Sequence, residues 1–389
     1  MLGTFVIAGF RRRARAAAVL SAVGLVLAAC SAPAATPTAA PAAQPTAAPA
    51  AKPTTAPVAQ PTTAPTAAAK PAAAPTTAPA PTVAPAAAAG GSILIGLITK
   101  TETNPFFVKM RESAQEQAKA LNVQVEALAG KYDGDNEGQI TAIQNLVAKG
   151  AKGILVTPSN SSGLLDAFKA ARDKDILVLA LDTATDPPDA VDALFATDNT
   201  KAGELDGEWA KKTMGDKPAK IAMLDGTPGG LVDNQRHDGF LKGFGISDND
   251  PMIVGRENTN GDQAKGQTAM ENLLQRNPDI NLVYTINEPA AHGAFTAIQS
   301  RGKEKDILIT SIDGGCAGVQ NVKDGQIGAT AMQFPKKMVE LGMKAVVDFA
   351  NSGKKPSGYT DTGEVLITDK PTSGIDSQGT AWGLDNCWG

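Results

Sequence analysis

Short apolar runs alternate with segments of helical periodicity from about position 92 to the end of the chain. In the first half of this region the apolar runs fall at 93–98, 123–125, 153–156 and 176–181. The runs are continuous, which is typical of parallel strands covered by helices on both faces. The repetition of strand and helix predicts right-handed crossovers in a doubly wound α/β lobe.

The same pattern begins again in the second half. Apolar runs recur at 221–224, 252–254, 282–286 and 307–312. Because no long Gly/Ser linker separates the halves, we expect ordered crossings near 196–199 and 330–333. A helix predicted at 335–351 returns to the first lobe, and the run at 364–367 crosses again. The fold class predicted is α/β, with two doubly wound parallel-sheet lobes joined by a three-strand hinge.

The residues before position 92 differ in composition from the rest. Residues 31–91 are almost entirely Ala, Pro and Thr. Such a segment has too little bulky apolar surface to offset the entropy of ordering, so we interpret it as an extended tether. The predicted crossings divide the remainder into an N-terminal lobe (92–197 and 334–362) and a C-terminal lobe (198–333 and 363–389).

Residues 1–30 have the parts of a lipoprotein signal peptide. Arginines at positions 11, 12, 13 and 15 precede an apolar run at 16–29, which is too short for a stable transmembrane helix. The run ends in Leu27-Ala28-Ala29-Cys30, which resembles the bacterial signal whose cysteine is lipidated. An ordinary secretion signal with a chance cysteine is the alternative. We expect an exported protein, anchored at the outer face of the cell membrane through Cys30 or periplasmic.

Cysteine usage, charge and histidine content narrow the function. With Cys30 lipidated, Cys316 and Cys387 remain in an oxidising compartment, where we expect a disulfide; two unpaired, buried thiols are the alternative. The formal net charge of −4 argues against a nucleic-acid partner. The two histidines, His237 and His292, lie in no metal-ligand spacing, so no metal site is expected.

Polar side chains follow the predicted strands at their carboxyl ends, where ligands bind on open α/β sheets. Thr157 and Asp182 follow strands of the first half, and Asn287 and Asp313 follow strands of the second. Each of them could instead cap the next helix, but the whole set is harder to explain as caps. Carboxylates and carboxamides bind vicinal hydroxyls, and a ring such as that of Phe106 covers the apolar face of a sugar.

The chain resembles the ribose-binding branch of the bacterial periplasmic binding proteins. The resemblance begins at 99–107, with Asn104-Pro105-Phe106-Phe107, and extends to about Thr368. Further matching motifs are Pro158-Ser159-Asn160, Leu181-Asp182, Thr197-Asp198-Asn199, Arg236-His237-Asp238-Gly239-Phe240, Asn287-Glu288, Ile312-Asp313-Gly314 and Gln333-Phe334-Pro335. The resemblance implies a solute-binding protein of an ABC importer, whose two lobes close on a monosaccharide and deliver it to the permease subunits. A monomer without a cofactor is expected.

The resemblance also implies which side chains contact the sugar. They are Asn104, Phe106, Phe107, Asp182, Asn234, Asn287, Asp313 and Gln333. The ribose binders carry an arginine where this chain has Asn234, and the loop before Asn104 looks one residue longer, so a different sugar is expected. The segment 96–110 and the ending Cys387-Trp388-Gly389 look closer to the fructose-binding members. Fructose is therefore favoured over ribose, xylose, mannose and inositol.

Other function classes fit the sequence less well. The chain has no G-x-S-x-G elbow, Walker loop or zinc pattern, and the glycine-rich segment 225–230 lacks dinucleotide-binding spacing, so we expect no enzyme. Asp133, Asp135 and Glu137 resemble half of a calcium loop, but Gln144 stands where a bidentate Glu is required, which favours a helix cap. A sugar-responsive repressor would need a DNA-binding headpiece in place of the signal peptide. A receptor for a sugar or autoinducer in chemotaxis or signalling remains the alternative.

Overall fold

A computed structural model describes residues 92–389. The predicted signal peptide, Cys30 and the predicted tether lie outside these residues. The first part of the described chain forms β1 (Leu94–Thr99), α1 (Pro105–Leu121), β2 (Gln124–Ala129), α2 (Asn136–Ala148), β3 (Gly153–Val156), α3 (Leu165–Arg172), β4 (Leu177–Leu181) and β5 (Ala193–Ala196). None of the helices within 92–389 is both long and apolar enough to cross a membrane.

The second part of the described chain repeats this alternation and then returns to the first lobe. It forms α4 (Asn199–Met214), β6 (Ile221–Asp225), α5 (Leu231–Phe244), β7 (Ile253–Asn258), α6 (Gln263–Arg276), β8 (Leu282–Thr285), α7 (Glu288–Gln299), β9 (Leu308–Asp313), α8 (Cys316–Lys323) and β10 (Ala329–Met332). The last elements are α9 (Pro335–Ser352), β11 (Tyr359–Asp361), β12 (Val365–Ile367), β13 (Ser377–Gln378) and α10 (Thr380–Asn386).

The first sheet has six strands in the order β11-β5-β4-β3-β1-β2, and all neighbouring strands are parallel. Strands β3 and β4 are buried along their whole length, because helices cover both faces of the sheet. On one face α1 and α9 pack over a core that includes Met110 and Met343. On the other face α2 and α3 contribute Leu146 and Phe168. The continuous apolar runs are therefore strands covered by helices on both faces, as predicted.

The second sheet has seven strands in the order β13-β12-β10-β9-β8-β6-β7. Helices α4 and α5 cover one face with Trp209 and Phe240, and α6 and α7 cover the other with Met270 and Ile298. The predicted pair of doubly wound lobes is thus confirmed. Two strands depart from the all-parallel expectation: β12 is antiparallel to β10, and β13 is parallel to β12. The chain leaves β10 toward the first lobe and enters β12 from that lobe, so β10 and β12 run in opposite directions.

The chain crosses between the two sheets three times, in agreement with the predicted three-strand hinge. The crossings lie between β5 and α4, between β10 and α9, and between β11 and β12. The first and third run side by side: the backbone N–H of Thr362 donates to the carbonyl of Ala196 at 2.9 Å, and the hydroxyl of Thr197 donates to the carbonyl of Gly363 at 3.3 Å. These hydrogen bonds hold the first and third crossings against each other, as expected from the absence of a long Gly/Ser linker between the halves.

Helices α4 and α5 approach each other unusually closely. A Cβ atom at Gly203 would lie 2.3 Å from the carbonyl oxygen of Arg236, and one at Gly207 would lie 2.2 Å from that of Phe240. Only glycine, which has no Cβ, permits this backbone contact. The close packing fixes the rotation of α5, and α5 carries side chains into the cleft between the lobes.

Candidate functional site

A polar cavity lies between the lobes at the carboxyl ends of the central strands. β1 leads into Lys100, β4 leads into Asp182, and β9 ends at Asp313. Because these strand ends face each other across the cleft, side chains distant in sequence meet there. The cavity is lined by Lys100, Asn104, Phe106, Phe107, Asp133, Asp182, Val232, Asp233, Arg236, Gly261, Ile286, Asn287, Asp313 and Gln333.

The lining contains every predicted sugar contact except Asn234, which lies outside it. Asn234 lies on the exposed side of α5, whereas Val232, Asp233 and Arg236 face the cavity. Successive residues of a helix point about 100° apart, so a shift of one position changes the face on which a side chain lies. The packing of α5 against α4 sets the rotation of α5. This rotation turns Asp233 and Arg236, but not Asn234, toward the cavity.

Two of the predicted residues, Asn104 and Asn287, both line the cavity and cap a helix. The side-chain oxygen of Asn104 accepts the backbone N–H of Phe106 at 3.0 Å, and Pro105 follows it in the first turn of α1. The side-chain oxygen of Asn287 accepts the N–H of Ala290 at 3.1 Å, and its amide donates to the carbonyl of Gly261. Capping therefore holds each carboxamide in place at the cavity wall.

Asp182 and Asp313 cap none of the helices in the described part of the chain. Both have a positive φ, 64° for Asp182 and 151° for Asp313. Such backbone conformations are strained for residues with a side chain and are retained where the surroundings hold them, often at functional sites. Asp313 accepts the amide of Gln333 at 2.8 Å, and Asp182 accepts the hydroxyl of Thr183 at 2.8 Å. Both carboxylates are buried and fixed in orientation.

Arg236 is a buried cation next to the carboxylate of Asp313. Its Nε donates to the side-chain oxygen of Asn199 at 2.7 Å, and its Nη1 donates to the carbonyl of Ile286 at 2.9 Å. The same Nη1 lies 3.6 Å from Oδ1 of Asp313. Burial raises the pKa of Asp313, and the nearby guanidinium only partly opposes that rise. Arg236 is thus a fixed charge partner for a carboxylate that has little contact with water.

A second buried cation, Lys100, lies on the N-terminal side of the cavity. Its Nζ is 3.8 Å from Oδ2 of Asp133. Burial alone would lower the pKa of Lys100, but Asp133, Asp233 and Asp182 together outweigh it and the pKa is raised. Burial raises the pKa of Asp233 to about 6. The cavity therefore offers hydrogen-bond donors and acceptors of both charges on facing walls.

Glu288 supports the turn that carries Asp313. Its buried carboxylate accepts the backbone N–H groups of Gly314 and Gly315, at 2.9 and 3.0 Å, and the hydroxyl of Thr330 at 2.8 Å. Burial and the neighbouring Asp313 raise the pKa of this carboxyl. Glu288 thus positions Asp313 through the backbone of the following turn.

The ring of Phe106 lies between two other aromatic rings. Its centroid is 5.5 Å from that of Phe107 and 5.5 Å from that of Trp388, both in edge-to-face geometry. Trp388 is tied to the C-terminal lobe, since its ring N–H donates to the carbonyl of Gln333 at 2.8 Å. A disulfide joins Cys316 to Cys387, with the two Cα atoms 4.9 Å apart. The C-terminal tail therefore contacts the N-terminal lobe beside the cavity.

The two lobes also touch each other near the cavity on another side. The backbone N–H of Leu231 donates to the hydroxyl of Ser161 at 3.1 Å, and the amide of Asn260 donates to the carbonyl of Asp133 at 3.2 Å. These direct hydrogen bonds across the cleft describe a closed arrangement of the lobes.

Four charged residues that the sequence analysis did not assign to the sugar site also line the cavity. They are Lys100, Asp133, Asp233 and Arg236. Lys100 carries the same signal as Asp182, because it directly follows a strand. Asp133 belongs to the acidic loop that was compared with a calcium site. In that loop Asp135 caps α2, accepting the N–H of Gly138 at 3.0 Å. No group of potential metal ligands occurs within residues 92–389.

Comparison with known proteins identifies the family. A model described as a periplasmic binding protein domain matches residues 95–355. The ribose import binding protein RbsB of Bacillus subtilis (strain 168) is 33% identical over 261 residues, covering 67% of this chain and 82% of that protein. The D-allose-binding periplasmic protein of Escherichia coli (strain K12) is 29% identical, covering 66% and 85%. A solved ABC transporter periplasmic solute binding protein from Actinobacillus succinogenes 130z, with bound D-allose, has a TM-score of 0.65 and 28% identity, covering 71% and 98%. The chain therefore belongs to the periplasmic binding protein family.

Proposed function

We propose that this protein is the solute-binding component of an ABC importer and captures a monosaccharide in the cavity between its lobes. The observation that carries the proposal is the lining, which combines fixed carboxylates, carboxamides and cations from both lobes with an aromatic ring. The side-chain oxygen of Gln333 is buried and, within residues 92–389, accepts no hydrogen bond. A ligand hydroxyl would satisfy it, because a buried acceptor without a partner is costly.

In this proposal each lobe holds part of the sugar. Asp182 of the N-terminal lobe and Asn287 and Asp313 of the C-terminal lobe bind ring hydroxyls, while Phe106 covers an apolar ring face. A ligand that contacts both lobes at once stabilises the closed arrangement over an open one, since only the closed form makes all the contacts. Closure would then signal a loaded protein to the permease.

Fructose is the sugar we favour. The segment 96–110 and the C-terminal Cys387-Trp388-Gly389 support it through their likeness to fructose-binding members of the family. The relatives compared above are named for ribose and allose, so ribose and allose belong in any ligand panel. The pocket retains one guanidinium, that of Arg236, although Asn234 replaces an arginine of the ribose binders.

Calorimetry with a panel of fructose, ribose, allose, xylose, mannose and inositol tests this function. We expect one of these sugars to bind the exported protein, and Asp313→Ala to weaken that binding about tenfold or more. Loss of a buried hydrogen-bonded carboxylate costs about 1–3 kcal/mol, and 1.4 kcal/mol corresponds to tenfold.

Asp216→Ala serves as the matched control, because Asp216 is an exposed aspartate of the same lobe outside the cavity lining. Binding of a panel member other than fructose would retain the sugar class and reject fructose. If no sugar binds, or if Asp313→Ala binds as the parent does, the proposed site is wrong.

We propose further that the protein is lipid-anchored at Cys30 and that residues 31–91 form a tether. The order of positive residues, apolar run and cysteine supports the anchor, and the Ala/Pro/Thr composition supports the tether. An anchored receptor with a long tether keeps its folded lobes near the importer and leaves them free to reorient.

A further inference from the structure

A second, larger cavity adjoins the proposed sugar cavity. Its volume is about 710 Å³. The two cavities share five lining residues, namely Asn104, Phe107, Asp133, Gly261 and Asp313. The second cavity is present although the lobes touch through the bonds of Ser161 and Asn260 described above. Contact between the lobes therefore leaves a space beside the proposed sugar cavity.

The walls of the second cavity carry groups suited to a polar ring. Tyr132 lines it from the N-terminal lobe, and Trp388 lines it from the C-terminal tail. Tyr132 is 61% exposed, so most of its surface is free for contact. Lys131 and Lys265 also line this cavity, from the N- and C-terminal lobes respectively, and can bind hydroxyls. Exposed aromatic surface beside polar side chains suits a ligand with an apolar face and a hydroxylated rim.

The size of the space sets the class of ligand. Pockets for ligands of drug size measure about 300–1,000 Å³, and the volume of about 710 Å³ found here lies within that range. We infer that this cavity is a subsite for a second sugar ring, which stacks on Tyr132 while the first ring occupies the proposed sugar cavity. The protein then accepts disaccharides and glycosides in addition to the monosaccharide. This inference rests on the proposed function.

The test compares a monosaccharide with extended ligands that contain it. For fructose the probes are sucrose and inulobiose; for another panel sugar they are its phenyl glycosides in both anomers. Calorimetry on the exported protein should show that at least one extended ligand binds as tightly as the free monosaccharide. Tyr132→Ala should weaken the extended ligand about tenfold and change monosaccharide affinity less than about twofold, because Tyr132 does not line the inner cavity.

Tyr132→Phe is the control for Tyr132→Ala, since it keeps the ring face and removes only the hydroxyl. It should bind both ligand classes within about threefold of the parent if stacking dominates. Binding of the monosaccharide without any extended ligand would overturn the subsite and leave the proposed function intact. Equal effects of Tyr132→Ala on both ligand classes would also overturn it. If no sugar of either class binds, the proposed function fails and the subsite with it.

Discussion

At the scale of single residues, the cleft and its surroundings hold charges that are compensated locally. Arg236 lies beside Asp313, and Lys100 lies beside Asp133. Outside the cavity lining, His237 stands between two carboxylates: its Nδ1 is 2.7 Å from Asp225 and its Nε2 is 2.9 Å from Asp248. Burial lowers the pKa of His237, but the two carboxylates outweigh burial and raise it. Folding therefore favours the protonated imidazole.

This linkage predicts a pH-dependent contribution of His237 to stability. A raised folded-state pKa gives a contribution that is complete below the unfolded value of about 6.5 and is lost as pH rises through the folded value. His237→Gln should therefore lower the free energy of unfolding more at about pH 5.5 than at about pH 9, by on the order of 1 kcal/mol.

Denaturant unfolding at the two pH values measures the effect of His237→Gln. His292→Gln provides the comparison, because His292 is the other histidine and is exposed. A loss of stability that is the same at both pH values would show that protonation of His237 is not the cause.

At the scale of elements, the segment after α10 links the two lobes. The disulfide to Cys316 holds Cys387 at the start of α8, and the backbone N–H of Cys316 donates to the carbonyl of Trp388 at 2.9 Å. These bonds place the ring of Trp388 against Phe106 of the opposite lobe. The sequence separation of 71 residues makes the crosslink worth about 4 kcal/mol in the chain-entropy model. The tail thus belongs to the closed arrangement of the cleft.

We predict that Trp388→Ala weakens monosaccharide binding about tenfold, since it removes an aromatic contact between the lobes and the hydrogen bond that holds the ring to the C-terminal lobe. Calorimetry with the sugar that binds the parent measures this change. Trp382→Ala is the matched control: Trp382 lies in α10, packs against the cluster of Val319, Met332 and Ile367, and lines neither cavity. It should reduce stability and keep the affinity. Equal affinities for Trp388→Ala and the parent would contradict the role given to the tail.

At the scale of the whole molecule, the chain crosses between the two sheets three times. The proposed sugar cavity lies where the strand ends of the two sheets meet. The first and third crossings are hydrogen-bonded to each other, so movement of the lobes is confined to a few residues in each crossing. The described residues begin at Ser92, and the proposed anchor at Cys30 lies far upstream in sequence. The proposed anchoring therefore depends on a part of the chain that precedes the described residues.

Cys30→Ala tests the proposed anchor. Without the thiol no diacylglyceryl group can be attached, so the variant should move from the membrane fraction to the soluble fraction. Cell fractionation and mass measurement of the N-terminal peptide follow the change, with the parent protein as reference. Membrane sedimentation of a lipid-bearing Cys30→Ala protein would show that the anchor lies elsewhere.

Whether the sequence predicted a strand depends mainly on whether that strand contains a run of apolar residues. The apolar runs predicted the longer strands, because a buried strand needs an unbroken apolar stretch. They did not predict β5, which has four residues, or β11, whose three residues are all exposed. The exposed β11 contains no apolar run, so it does not stand out from a loop in the sequence, and it pairs in parallel with β5.

By itself, then, the sequence determined the two-lobed α/β fold, and it placed Asp182, Asn287 and Asp313 at strand ends that face one cleft. Only the tertiary structure decided that Asp233 and Arg236 face the cavity and that Asn234 does not. That choice depends on the rotation of α5, which its backbone contact with Gly203 fixes. The structure also decided that Trp388 meets Phe106. Local periodicity encodes which face of an element is buried, whereas the meeting of distant side chains depends on how the elements pack.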